Sequence, residues 1–309
     1  METLRALRSI GCVAMFALAA FFAHTARAQD IEPRAYSNAP VGVNFVIVGN
    51  VLARGGMSFD PSVPLDDAHI ETNSIVLAYA RALDLWGRSG KFDAIVPYSR
   101  IDGTALFAGQ PVSRDIHGFA RPAFRVSMNL YGAPALQARE FRGWKQDLIV
   151  GMSLQVAPPL GQYDATRLVN VSSHRWSVKP EIGVSKAVGR WTIEVQAAAT
   201  LYGDNGHFFG NTTRSQDPIY ALQGHLIYGF VSGKWVSFDA TWFTGGRTRI
   251  DGALNNDLQR NTRVGIVFAL PVNPRNSVKL TASSGVVTRT GSDFDAVGIA
   301  WQYRWGGGL

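Results

Sequence analysis

Val297-Gly298-Ile299-Ala300-Trp301-Gln302-Tyr303-Arg304-Trp305 is the stretch on which the fold turns. Side chains along a β-strand point alternately to its two faces. The period of two therefore gathers Val297, Ile299, Trp301, Tyr303 and Trp305 on one side and Gly298, Ala300, Gln302 and Arg304 on the other. The same alternation runs through Leu148, Val150, Met152, Leu154 and Val156, through Trp191, Ile193, Val195, Ala197, Ala199 and Leu201, and through Val236, Phe238, Ala240 and Trp242. Each is a long strand with one apolar and one wet face.

Working outward, twelve such stretches lie near residues 43–55, 69–85, 91–101, 117–131, 147–158, 176–187, 191–202, 218–231, 235–245, 261–271, 276–289 and 294–305. An even number of strands, each near the ~9–11 residues that a tilted strand needs to cross the apolar layer, is the requirement of a single-chain outer-membrane barrel. The connections alternate as well. Trp86–Gly90, Val188–Arg190, Ser232–Lys234 and Asn273–Arg275 are short turns, whereas Gly56–Ala68, Asp102–Ile116, Pro159–Arg175, Gly203–Asp217 and Gly246–Arg260 are long. Short turns at one rim and long loops at the other are the periplasmic and outer ends of such a barrel. Two connections break the pattern: the long periplasmic link Gly132–Gln146, with a short helix expected at Leu136–Phe141, and the tight outer loop around Ser292.

Composition excludes the main competitors. Only 17% of the 309 residues are charged, against 46% hydrophobic and 11% aromatic, where an ordinary soluble domain carries about 25% charged residues. No apolar run reaches the ~18 residues of a membrane helix. A secreted β-sandwich also alternates. Here, however, the wet faces are mostly Gly, Ala, Ser, Thr and Gln, which suits a confined lumen. Trp176, Trp191, Tyr202, Tyr228, Trp235, Trp242, Tyr303 and Trp305 stand near strand ends, as interfacial girdles do. The expected fold is all-β: a transmembrane antiparallel up-and-down barrel of about 12 strands in the bacterial outer membrane, in contact with its lipid bilayer.

Residues 1–28 read as a secretory signal peptide, with basic Arg5 and Arg8, apolar Ile10–Ala23 and a small-x-small site at Ala26-Arg27-Ala28. Fourteen apolar residues reach about 21 Å, short of the ~30 Å hydrocarbon layer. The only cysteine, Cys12, lies inside this segment, so residues 29–309, the barrel, are expected to hold without disulfides. A formal charge of +7 with no Lys/Arg cluster gives no sign of nucleic-acid binding.

The chain resembles a bacterial outer-membrane transporter family described as a "putative MetA-pathway of phenol degradation". Residues Glu32–Gly42, Gly161-Gln162-Tyr163-Asp164, Arg175-Trp176 with Lys179-Pro180-Glu181, Phe208-Phe209-Gly210, Gln216–Tyr220, Thr244–Thr248 and Trp301–Trp305 carry the resemblance. They run from just after the signal to the last strand. His174, where asparagine is expected, and Asn50, where tyrosine is expected, depart from the pattern. The resemblance implies passage of small organic compounds, aromatic or hydrophobic degradation substrates among them, through the outer membrane.

Candidate site residues follow from these faces. Arg121, Arg125, Lys179, Glu181, Glu194, Asp239, Arg263, Lys279 and Arg304 fall on the lumen side. They would either tie a narrow barrel shut by ion pairing or select solutes, the cationic excess favouring anions. The irregular lead-in within 29–42 is either a loose periplasmic tail or a gate in the barrel mouth, with Tyr36, Ser37, Asn38 and Pro40 as its marked residues. Trp301, Tyr303 and Trp305 resemble the carboxyl-terminal signal read by the barrel-insertion machinery. No catalytic, metal or cofactor motif is expected: the histidines are scattered, and no Gly-x-Ser-x-Gly elbow occurs. Asp204 and His207 form the one pair resembling a hydrolase, although Asp204-Asn205-Gly206 is first a turn former, and Gly245-Gly246 reads as a bend at the rim. The reading is a passive channel for a small-molecule solute, with a barrel-borne hydrolase and a closed structural barrel as alternatives.

Overall fold

A computed structural model describes residues 32–58, 65–107 and 109–308, so the signal segment lies outside the described residues. The staves are β1 (Val43–Ser58), β2 (Leu65–Leu85), β3 (Arg88–Phe107), then β4 (Gln110–Phe119) and β5 (Ala123–Tyr131), which together make one broken stave. After the short helix α1 (Ala138–Phe141) come β6 (Leu148–Ala157), β7 (Ser177–Val188) and β8 (Trp191–Tyr202). Outside the membrane, β9 (Asn205–Phe208) and β10 (Thr212–Gln216) precede β11 (Ile219–Gly229) and β12 (Trp235–Gly245). The short β13 (Thr248–Ile250) and β14 (Ala253–Leu254) lead to the last staves β15 (Gln259–Pro271), β16 (Asn276–Val287) and β17 (Gly291–Gly306).

Every neighbour is antiparallel, and the first and last strands close the ring from Val43 opposite Gly306 to Ser58 opposite Gly291. The result is a closed twelve-stave barrel. Closure leaves no unpaired sheet edge, the condition for a sheet to exist in hydrocarbon. The barrel is inside out relative to a soluble protein. Large apolar side chains such as Ile182, Val195, Leu222, Phe238 and Ile299 are exposed outward, whereas Ser153, Ser185, Gln196, Ser237 and Thr241 are buried within.

The staves run further outward than the alternation alone indicates. β2, β3 and β4 continue through what reads as loop, and the outer connections 203–218 and 246–258 fold into a four-stranded sheet of order β14-β13-β10-β9. Above the membrane both faces of a strand are wet. The Arg54–Glu71 and Arg100–Asp115 pairs stand where an apolar row would be needed to reveal a strand.

The break between β4 and β5 falls at Ala120-Arg121-Pro122, where Pro122 has no N–H to give to the ladder. The outer loop 158–176 docks there: Gln162 N donates to the carbonyl of Phe119 at 2.7 Å, and Gly161, at φ 103°, approaches so closely that a Cβ would lie 2.6 Å from that oxygen. Two aromatics expected in the girdles belong instead to the lumen. Trp235 is buried on the inward row of Ser237 and Asp239, and Tyr202 lies on the inward row of Glu194 and Gln196. Their spacing from the true girdle residues is odd rather than even, and that parity sends them inward. Trp301, Tyr303 and Trp305 do form a column, with successive ring centroids 6.2 and 5.7 Å apart.

Candidate permeation site

The lumen at the short-turn end is filled by a segment that belongs to no stave. Residues 32–42 form a turn, closed by Ser37 N donating to the carbonyl of Arg34 at 3.1 Å, with Arg34 at φ 69°. The segment is anchored to the long link 132–146. Val41 N donates to the Leu136 carbonyl at 2.9 Å, and Asn38 Nδ2 donates to the Pro134 carbonyl at 3.0 Å. That contact accounts for the one long connection on a rim of short turns.

Tyr36 is the centre of the segment and is almost wholly buried. Its ring occupies a slot made by Gly151 of β6 and Gly183 of β7, both inward-facing. A Cβ on either would fall 2.2 or 2.3 Å from the ring. Its hydroxyl donates to Glu181 Oε1 at 2.9 Å, and its carbonyl accepts from Asn129 Nδ2 at 3.1 Å. Ile149 and Ala133 pack against the same ring.

Charges complete the docking. Glu32 pairs with Arg125, whose Nε also meets Asp93 Oδ2 at 3.0 Å, and Lys91 lies 3.5 Å from Asp93. Arg34 N donates to Glu194 Oε2 at 2.7 Å, while the Arg34 guanidinium lies 5.6 Å from the Trp235 ring centroid and Lys279 Nζ 5.9 Å from it. Lys179 pairs with Glu181 at 3.4 Å. Beyond Glu194, Asp239 holds His225 Nδ1 at 2.7 Å and accepts from Ser237 Oγ at 2.9 Å, all three buried.

Not every residue on the inward rows joins this network. Arg263 is buried and donates to the Phe294 carbonyl at 3.1 Å, so it braces the outer half of the wall. Arg304 reaches the Pro274 carbonyl at 2.7 Å in the last short turn and lies at the rim. Arg121 lies at the outer mouth, its Nη1 3.3 Å from Ser173 Oγ and 3.4 Å from the Arg175 carbonyl. Ser37 accepts from Arg34 Nε at 3.2 Å, and Pro40 closes the segment through its carbonyl, which accepts from Val43 N at 3.3 Å.

The residues that sequence reasoning passed over are Lys91, Asp93, Asn129, His225 and the two slot glycines. Glycine in the middle of a strand, on its polar face, is the signal that could have found the slot, since it marks a place where another group comes close. No hydrogen bond joins Asp204 to His207 among the described residues. Asn205 instead opens β9 and donates to Tyr163 Oη at 2.8 Å and the Ser173 carbonyl at 3.3 Å, tying two outer loops together. Gly245 and Gly246 both have positive φ, 114° and 71°, and bend the end of β12.

Residues 54–303 match the family model described as "Putative MetA-pathway of phenol degradation". The chain belongs to this family. The match spans the staves from within β1 to within β17, the whole wall of the barrel. Among solved structures, the COG4313 outer membrane channel from Pseudomonas putida F1 superposes with a TM-score of 0.75 at 17% identity, covering 89% of this chain and 100% of that one. The transport unit of the autotransporter AIDA-I from Escherichia coli superposes with a TM-score of 0.51 at 9% identity, over 89% and 93% of the two chains. No curated protein matches. At these identities the likeness is one of fold, and that fold, a closed barrel with its apolar rows outward, belongs in the bacterial outer membrane.

Proposed function

We propose that the protein is a passive channel carrying small organic molecules across the outer membrane, and that residues 32–42 restrict the passage. The observation supporting this is the nature of the filling. A barrel built only to be closed can fill its lumen with side chains of its own staves, as eight-stranded barrels do. Here the centre is occupied by a separate segment held by hydrogen bonds and ion pairs to a polar wall, which water can replace when the segment leaves. Twelve staves enclose a width between the filled eight-stranded barrel and the open porin. The family description favours aromatic degradation substrates, and the cationic excess on the lumen side favours their acids.

On this reading the chain is not an enzyme, and Asp204→Ala and His207→Ala leave transport unchanged. Liposome swelling with purified protein, run across phenols, benzoates and sugars, tests the proposal. Swelling that is fastest with the small aromatic solutes is expected. Liposomes that fail to swell with any of them, whether made with the wild type or with a form lacking residues 30–40, would leave a closed structural barrel.

A further inference from the structure

At the outer mouth three guanidinium groups gather with no carboxylate in ion-pair contact among the described residues, while Asp204 acts on Arg175 and Asp257 on Arg214 from further off. Arg175 sits two residues before Ser177 on the inward row of β7, Arg121 lies at the break between β4 and β5, and Arg214 comes from β10 of the outer sheet. Arg175 is only 8% exposed. Its guanidinium lies 4.3 Å from the Tyr202 ring centroid, and its Nη2 donates to Gln216 Oε1. Its Nε and Nη1 are buried and have no hydrogen-bond partner. Arg214 lies 5.2 Å from the Phe208 ring centroid. Among the described residues none of the three forms an ion pair, although Arg54, Lys91, Arg100, Arg125, Lys179, Lys186 and Arg249 each do.

Burying a guanidinium with donors unspent is costly, and doing so beside two others of the same sign adds repulsion. Burial pushes the Arg175 guanidinium down to about 10, the charge of Arg214 pushes the same way, and Tyr202, Arg121 and Asp204 follow as weaker influences of mixed sign. Arg263, also buried without an ion pair, spends its terminal nitrogens on the Phe294 carbonyl and leaves only Nε unpartnered, whereas Arg175 leaves two donors unpartnered beside two further guanidinium groups. Nη2, the nitrogen that forks with Nε, is held by Gln216, so the unpartnered Nε and Nη1 each offer a single charge-assisted hydrogen bond to an anion.

We propose that Arg175, with Arg121 and Arg214 beside it, is a capture site for the carboxylate of an organic solute at the outer entrance, with Tyr202 and Phe208 as its aromatic floor. The proposal deepens the channel reading and rests on it for its purpose, but binding is measurable without transport.

Binding of benzoate to the detergent-solubilised full chain, followed by titration calorimetry with benzyl alcohol as the uncharged analogue, tests it. Saturable binding of benzoate alone is expected. Arg175→Met, which keeps an apolar contact with Tyr202, should weaken binding by roughly tenfold or more, the size of a lost hydrogen bond to a charged group. Arg214→Met should weaken it less. Heat-modifiable migration confirms that each variant is folded. Equal binding of benzyl alcohol, no saturable benzoate binding, or benzoate binding indifferent to Arg175→Met would each overturn the site. Swelling measured on the same preparations separates the two claims: transport without benzoate binding removes the site alone, and benzoate binding without transport supports the site while removing the channel.

Discussion

Gly151 and Gly183 act on Tyr36 through what they lack. Either Cβ would meet the Tyr36 ring well inside contact distance, so Gly183→Ala forces the ring out of its slot while leaving β7 paired. The expected outcome is a folded, heat-modifiable barrel with raised conductance. Gly224→Ala, where a Cβ meets nothing within 4 Å, should leave conductance unchanged. Arg125 is a second residue whose surroundings decide its effect. It is buried between Asp93 and Glu32, and Asp93→Ala removes the carboxylate supplied by the wall itself. Breaking a buried pair in this way costs about 3–5 kcal/mol, measurable as a lowered unfolding midpoint in lipid vesicles. At this scale the sequence is informative about direction and silent about partners. Alternation puts Glu181, Glu194 and Asp239 inside, but the group that Glu181 holds is Tyr36, far away along the chain, and no local pattern records a contact of that range.

At the scale of the element, alternation is legible only where lipid meets one face. All twelve crossings can be read because one of their rows must be apolar. The outer ends of β2, β3 and β4 escape such a reading because both of their rows are wet, and β9, β10, β13 and β14 are too short to show a period. The long link 132–146 is visible as an irregularity, but its purpose appears only when Pro134 and Leu136 are seen accepting from the lead-in. Replacing residues 132–146 by a two-residue turn should therefore free the lead-in without disturbing the staves, and increased proteolysis within 32–42 would register it. The final strand carries a separate expectation. We propose that the stacked Trp301, Tyr303 and Trp305 are what the insertion machinery grips. Changing all three to alanine should slow the appearance of the heat-modifiable form severalfold in cells, with less effect on refolding into detergent.

Taken whole, the molecule exchanges the usual places of oil and water. Val195 and Gln196 are neighbours in β8, one facing outward with half its surface open and the other buried in the lumen. Val195→Arg places a charge against the hydrocarbon near mid-depth and should destabilise the barrel by ~2–4 kcal/mol, read by denaturant unfolding in vesicles. The more demanding claim is that the polar interior is a passage held narrow by a removable segment. Single-channel recording in planar bilayers, comparing the wild type with a form lacking residues 30–40, addresses it most directly. A severalfold larger unitary conductance on deletion is the predicted result, and a conductance identical to that of the intact chain would contradict it.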